Sequence, residues 1–184
     1  MKIEHRELAK NGWLVIDKPS GFTSFQVVKV IRKLYSVKKA GHAGTLDPLA
    51  TGILPVALGE ATKTIPYTIY TDKTYHFTVC WGDDRDTNDS DGRVIATSKK
   101  RPSEESIMNI LENFKGKFEQ VPPDYSAIKV NGQRAYKLAR EQKPVQLKAR
   151  TVEVKSIKLL KIPDPDHAEF CVTTSKGFYV RSLA

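Results

Sequence analysis

The feature that most constrains this chain is the glycine-rich stretch GHAGTLDPLATG, residues 41–52, which carries one carboxylate at Asp47. Its three glycines allow positive φ or close approach of another molecule. Pro48 restricts its own φ and pushes Asp47 toward an extended conformation. Because the apolar residues 53–58 follow directly, the stretch predicts a rigid loop that leads into a strand and holds Asp47 in one orientation. The alternative is that Asp47 only caps a turn, as Asp-Pro often does.

The spacing within this stretch does not fit three other kinds of site. A Walker A loop needs a lysine after its last glycine, and neither Gly44 nor Gly52 is followed by one. The glycine spacing also differs from the Gly-x-Gly-x-x-Gly dinucleotide fingerprint. His42 has no second His, Cys or carboxylate at a ligand spacing, so we do not expect zinc.

The charge balance of the chain favours a polyanionic partner. The 184 residues carry a formal net charge of +9, with a pI near 9.5. Such an excess is typical of nucleic-acid binding, although a basic surface without a partner would look the same. Lys38 and Lys39 directly precede the Asp47 loop, and their charges favour binding of an RNA strand that reaches the loop. The alternative is that they belong to a solvated face. Without a membrane-spanning run or a signal-peptide core, the cytoplasm is the default.

The order of strand and helix patterns predicts an α+β fold with a mixed, mostly antiparallel sheet flanked by helices. Asn131-Gly132 predicts a hairpin with a type I′ turn. Residues 152–159 alternate as a half-buried strand with a slip near 155–156, and residues 168–174 are expected to pair with it. The length suits one domain, with a domain plus a small subdomain as the alternative.

Three further local predictions concern the first strand, the first helix and the cysteines. Residues 13–17 predict a buried strand, and Thr23 or Ser24 can cap the helix that follows. Cys80 and Cys171 lie in apolar, strand-like runs, which favours buried free thiols over a disulfide.

The acidic segment of residues 83–92 invites comparison with a calcium-binding loop. Aligning Gly92 with the invariant glycine of an EF-hand puts Thr87 at the first position and Ser98 at the twelfth. Both of those positions require carboxylates, so the EF-hand is rejected and a polar loop is predicted.

Residues 41–51, with Asp47 at their centre, closely resemble the central motif of the TruB-type tRNA pseudouridine synthases. The resemblance continues from Gly12 to the end of the chain. It implies a pseudouridine synthase fold with a central RNA-binding cleft, and a catalytic domain over residues 1–184. It also implies action on the T-arm of tRNA, at the uridine of position 55, without metal, cofactor or obligate protein partner. Relatives continue past Ala184, commonly into a small PUA domain, so we expect an incomplete chain.

The resemblance also implies roles for individual residues. Asp47 would attack C1′ of the ribose or C6 of the uracil, and Arg181, in the motif of residues 177–182, would be its electrostatic partner. Tyr75 would stack on the flipped uridine and could take the C5 proton, while His42 would fill the gap left by the base. The other implied substrate-binding residues are Gly44, Thr45, Leu46, Lys18, Pro19, Tyr179 and Lys129, with Lys18 and Lys129 as candidate phosphate contacts.

Without the resemblance, each of these residues has an ordinary structural explanation. A single arginine in a basic protein is most often on the surface, and a tyrosine at a strand start usually packs in the core. His42 would be a hydrogen-bonded loop histidine. The open alternatives for function are a non-catalytic RNA-binding or tRNA-folding module and a guide-RNA-dependent synthase. A glycosidic hydrolase would need a second carboxylate, which the motif lacks. A monomer is the default oligomeric state.

Overall fold

The computed structural model describes residues 11–68 and 71–184, which fall into two compact units, one within residues 1–71 and one within residues 72–184. In chain order the strands and helices are β1 (Gly12–Lys18), α1 (Ser24–Leu34), β2 (Ala40–His42), β3 (Gly52–Leu58), α2 (Ile65–Thr68), β4 (Lys73–Cys80), β5 (Asp83–Arg85), β6 (Val94–Thr97), α3 (Glu104–Leu111), β7 (Gly116–Gln120), β8 (Lys129–Val130), β9 (Gln133–Arg134), α4 (Ala135–Arg140), β10 (Arg150–Asp164) and β11 (His167–Thr174). Short 3₁₀ turns occupy Gly59–Thr64, Glu112–Phe114 and Val180–Ser182.

The first unit is built on an antiparallel sheet of order β1-β3-β2 with α1 against one face. Its buried core consists of Val27, Val28, Val37, Leu54, Val56 and Leu58. The prediction of a buried strand at residues 13–17 is wrong in one respect. β1 alternates between the core and the surface, and Val15 on its outer face is 70% exposed. An apolar run of five residues cannot distinguish these two cases.

Helix α1 begins with a capping box. The hydroxyl of Thr23 accepts a hydrogen bond from the backbone N–H of Gln26 at 3.1 Å, and the side-chain oxygen of Gln26 accepts one from the N–H of Thr23 at 2.7 Å. These bonds satisfy two backbone N–H donors that would otherwise have no hydrogen-bond partner within the helix. Thr23, the first of the two predicted caps, is therefore the N-cap.

The second unit contains a four-stranded antiparallel sheet of order β4-β11-β10-β7. Helix α3 covers one face through Ile107 and Leu111, and the rings of Phe77 and Phe170 stack within the core at 5.4 Å. β10 pairs with β11 as predicted, and the register shifts between Val154 and Ser156. The predicted slip at residues 155–156 is confirmed.

Two hairpins complete the second unit. β8 and β9 are joined by Asn131 and Gly132, whose φ angles of 49° and 83° are both positive, as a type I′ turn requires. β5 and β6 pair around the acidic segment. Every strand pairing in the part of the chain that the structure describes is antiparallel, so the α+β prediction is confirmed.

The cysteines and the helices bear on two further expectations. Cys80 and Cys171 are both free thiols, as predicted. Neither is buried as expected: Cys80 is exposed because it ends the outer face of β4, and Cys171 is half-buried in β11. No helix in residues 11–68 or 71–184 is long and apolar enough to cross a membrane.

Candidate active site

Asp47 lies in the loop between β2 and β3, and the loop is closed partly by its own residues. The Asp47 carbonyl accepts a hydrogen bond from the Ala50 N–H at 3.1 Å, which makes Asp-Pro part of a turn. The Nδ1 atom of His42 contacts the carbonyl of Gly44, and Gly44 has a φ of 113° that side-chain-bearing residues rarely adopt. The loop therefore has a defined shape, as a rigid support for a carboxylate would need.

The segment between β1 and α1 is hydrogen-bonded to the Asp47 loop. The Gly21 N–H donates to the carbonyl of Pro48 at 2.8 Å. The buried hydroxyl of Ser24 lies 3.0 Å from the N–H of Leu46 and 3.2 Å from its carbonyl, so it can accept from one and donate to the other. Residues on both sides of Asp47 are thus tied to the start of α1.

Lys18, the last residue of β1, is buried beneath the loop. Its ammonium donates to the carbonyls of Phe22 at 2.7 Å, Pro19 at 3.0 Å and Pro48 at 3.1 Å, and its side chain is 0% exposed. Burial lowers the pKa of Lys18, and the negative charge of Asp47 opposes that shift. The predicted phosphate contact at Lys18 is wrong, because an ammonium has three donors and all three are used on backbone carbonyls. Lys18 instead positions the Asp47 loop.

Replacing this buried lysine is expected to destabilise the protein. In Lys18→Met the three carbonyls lose a charged donor, and we expect the free energy of unfolding to fall by about 3 kcal/mol. Urea unfolding followed by circular dichroism measures this, with the exposed Lys29→Met as the control at less than about 0.5 kcal/mol. Equal urea midpoints of unfolding for the two variants would show that Lys18 does not stabilise the fold through these bonds.

Arg181 in the second unit is not a surface residue. It lies in the 3₁₀ turn Val180–Ser182, and its side chain is only 11% exposed. Its Nη1 donates to the carbonyl of Thr87 at 2.9 Å and its Nη2 to the carbonyl of Tyr125 at 3.0 Å, while Nε lies 3.6 Å from the Asp89 carboxylate. The guanidinium is therefore held in one orientation by three separate partners.

Asp89 is a functional candidate that the sequence did not reveal. Its side chain is 13% exposed, and its Oδ1 accepts from the hydroxyl of Thr87 at 2.5 Å and from the N–H of Asp91 at 3.1 Å. The acidic segment is thus more than a polar loop, since one of its carboxylates is built into the support of Arg181. Its only sequence signal is the density of aspartates before Gly92. In the described residues, no three His, Cys, Asp or Glu side chains are grouped to hold a metal ion.

The neighbouring Tyr179 is fixed through its backbone. Its N–H donates to the side-chain oxygen of Gln120 at 2.8 Å, and its carbonyl accepts from the Gln120 amide nitrogen at 3.0 Å. Gln120 is 5% exposed at the end of β7, so a buried amide sets the path of the chain just before Arg181. Tyr75 lies on the inner face of β4 opposite Val172 and packs, half-buried, against the core.

Lys129 lies on an exposed basic hairpin. It pairs with Arg134 across β8 and β9, and the guanidinium of Arg134 donates to the carbonyl of Ala127. In α4, which follows, the guanidinium of Arg140 lies 5.6 Å from the ring centre of Tyr136. Exposed cations beside an aromatic ring are compatible with the predicted phosphate contact at Lys129.

The predicted site residues are divided between the two units. Those in the first unit are Lys18, Pro19, His42, Gly44, Thr45, Leu46 and Asp47, and those in the second are Tyr75, Lys129, Tyr179 and Arg181. In the first unit the structure brings the loop residues together on top of Lys18; in the second it brings Tyr179 and Arg181 together beside Asp89. The pairing of Asp47 with Arg181 stays a prediction, as do the catalytic roles.

Comparison with known proteins defines first the fold and then the family. The solved "Crystal Structure of a Cbf5-Nop10-Gar1 Complex" is similar with a TM-score of 0.69 and 32% identity, over 95% of this chain and 42% of that chain. The "Structure of H/ACA RNP bound to a substrate RNA containing 2'-deoxyuridine" is similar with a TM-score of 0.67 and 26% identity, over 96% and 41%. The chain thus has the pseudouridine synthase fold.

The sequence model described as "TruB family pseudouridylate synthase (N terminal domain)" matches residues 32–180, and the chain belongs to this family. It is 55% identical to "tRNA pseudouridine synthase B" of Bradyrhizobium diazoefficiens over 174 residues, which are 95% of this chain and 50% of that protein. The chain spans about half the length of the curated relatives it matches.

Proposed function

We propose that the protein isomerises uridine to pseudouridine in tRNA, at position 55 of the T-loop, with residues 1–184 as its catalytic domain. The observation that carries this proposal is Asp47, a carboxylate on a loop fixed to Lys18 and Ser24, inside the region that matches the family. A curated relative at 55% identity is named for the same reaction on tRNA.

The proposed reaction conserves all atoms of the nucleotide. The bond between C1′ and N1 breaks, the base turns, and a bond between C1′ and C5 forms. N1 gains a proton and C5 loses one, so neither redox chemistry nor a cofactor is needed. Asp47 attacks C1′ or C6 to hold the separated fragments. In this proposal Tyr75 stacks on the flipped base and takes the C5 proton, and His42 fills the space that the base leaves.

The carboxylate of Asp47 must be ionised to act as a nucleophile, and a cation beside it stabilises that form. Arg181 is proposed for this role. Its planar guanidinium has five N–H donors and can serve an active-site carboxylate while other partners hold it. Its contacts with Thr87, Tyr125 and Asp89 support a pre-oriented charge.

A second candidate function is a synthase that works within a guide-RNA particle. The likeness to a Cbf5-Nop10-Gar1 complex and to an H/ACA RNP favours it. We prefer the stand-alone enzyme, because identity is 55% to a tRNA pseudouridine synthase B and 32% to the Cbf5 complex. We further propose that it acts as a monomer in the cytoplasm.

The experiment that tests the proposal measures pseudouridine by chemical labelling in a T-arm stem-loop RNA. This chain and a version extended at its C-terminus are compared, without nucleotide and with a metal chelator. We expect labelling at the target uridine and none in an RNA that carries cytidine there. Binding without isomerisation by both versions would favour the non-catalytic module, and activity only with an added guide RNA would favour the second candidate.

Asp89 is expected to act as a positioning residue for this reaction. Asp89→Asn keeps the size of the side chain but removes the charge beside Arg181, so we expect kcat to fall by about 10- to 100-fold with little change in KM. Asp91→Asn is the matched control, since that side chain is exposed on the same loop. Equal loss of activity in both variants would indicate a general effect of the loop charge.

A further inference from the structure

The outer face of α1 and the turn after it form a basic surface that has no carboxylate of its own. No Asp or Glu occurs between Lys18 and Asp47. The exposed cations of this surface, which we call the α1 track, are Lys29, Arg32, Lys33, Lys38 and Lys39. Within residues 11–68 and 71–184 none of the five forms an ion pair. The pKa of Glu60 is lowered mainly by its hydrogen bond with Lys63, and the charge of Lys39 lowers it less.

Two exposed phenylalanines adjoin this surface at the start of α1. Phe25 is 71% exposed and Phe22 is 45% exposed. A merely solvated basic face has no need of aromatic rings, and exposing them to water is unfavourable. A basic surface with aromatic rings beside it is instead the composition that binds single-stranded nucleic acid, because phosphates meet the cations and bases stack on the rings.

The α1 track is connected rigidly to the Asp47 loop. The Ser24 hydroxyl, one residue before Phe25, bonds both backbone groups of Leu46. The Lys18 ammonium joins the carbonyl of Phe22 to that of Pro48. An RNA strand bound along α1 would therefore be held in a fixed relation to the loop that carries the nucleophile.

We propose that the α1 track binds the phosphate backbone of the RNA strand next to the target nucleotide, and that Phe25 stacks on one of its bases. The identity of this RNA rests on the proposed function. The surface itself is separate from the residues that act on the uridine.

The test compares two triple variants that remove the same charge. Lys29→Gln/Arg32→Gln/Lys33→Gln neutralises the α1 track. The control, Lys115→Gln/Lys155→Gln/Lys161→Gln, removes three lysines that already pair with Glu112, Asp72 and Glu169. The probe is a T-arm stem-loop with cytidine at the target position, which prevents turnover, and Kd is measured from about 50 to 300 mM salt.

We expect the α1-track triple to bind at least about tenfold more weakly at 100 mM salt, and the slope of log K against log salt to fall by about 2. The control is expected to stay within about threefold with little change of slope. Phe25→Ser should weaken binding severalfold without changing the slope, because it removes stacking and no charge. Thermal unfolding checks that these surface changes leave the fold intact.

Equal Kd and slope for the two triples would overturn the proposal and leave the track as a solvated face, and so would a parent chain that does not bind the RNA. If the parent isomerises the T-arm but the triples bind alike, only this inference fails. If the track triple binds weakly but the parent never forms pseudouridine, only the proposed function fails.

Discussion

Asp47→Asn is expected to abolish pseudouridine formation, lowering the single-turnover rate constant by at least about 10⁴-fold. Asparagine has nearly the same shape, so the turn closed by Ala50 and the bonds to Lys18 and Ser24 should persist. The amide has no charge to attack C1′ or C6 and cannot form the proposed ion pair with Arg181. Labelling of the T-arm stem-loop under excess enzyme measures the rate directly.

The matched control is Asp17→Asn. Asp17 lies one residue before Lys18 on the exposed side of β1, so this variant removes the same charge without touching the loop. It should isomerise the RNA at the parental rate. An active Asp47→Asn would remove Asp47 as the nucleophile, and a parent that binds but never reacts would favour the non-catalytic module.

Arg181→Lys is expected to lower the rate constant by about 10²- to 10³-fold. Lysine keeps the positive charge but not the planar fork, so it cannot hold the carbonyls of Thr87 and Tyr125 and the carboxylate of Asp89 together. The cation beside the nucleophile would then be wrongly oriented. RNA affinity should change much less than the rate, and a filter-binding assay on the cytidine-substituted stem-loop separates the two.

Arg101→Lys tests whether replacing any arginine that is fixed by hydrogen bonds lowers the rate constant. Arg101 also bonds a carboxylate, that of Asp166, and the carbonyls of Ser98 and Lys100, yet it is not one of the proposed site residues. We expect near-parental rates for this variant. If both arginine variants lose activity equally, the loss reports on the stability of the second unit and not on catalysis.

Local features of the fold could be predicted from sequence because their causes are local. Asn131-Gly132 forms its type I′ turn since both positions tolerate positive φ, and the hydroxyl of Thr23 caps α1 by accepting from the N–H of Gln26, three residues further on. The slip near residue 155 appears in the alternation of β10 itself. The exposure of Val15 and Cys80 could not be predicted, since whether a strand is covered on both faces depends on its neighbours.

The sequence alone was enough to identify the Asp47 loop and, through the resemblance, the motif that contains Arg181. Both can be recognised because each consists of contiguous residues. Only the tertiary structure decided what supports them. Lys18 resembles a phosphate ligand until its three donors are found on backbone carbonyls, and Asp89 resembles any loop aspartate until its carboxylate is found beside Arg181. The physical reason is that a charged side chain takes its role from the partners it meets, and Pro48 for Lys18 and Arg181 for Asp89 lie far away in the chain.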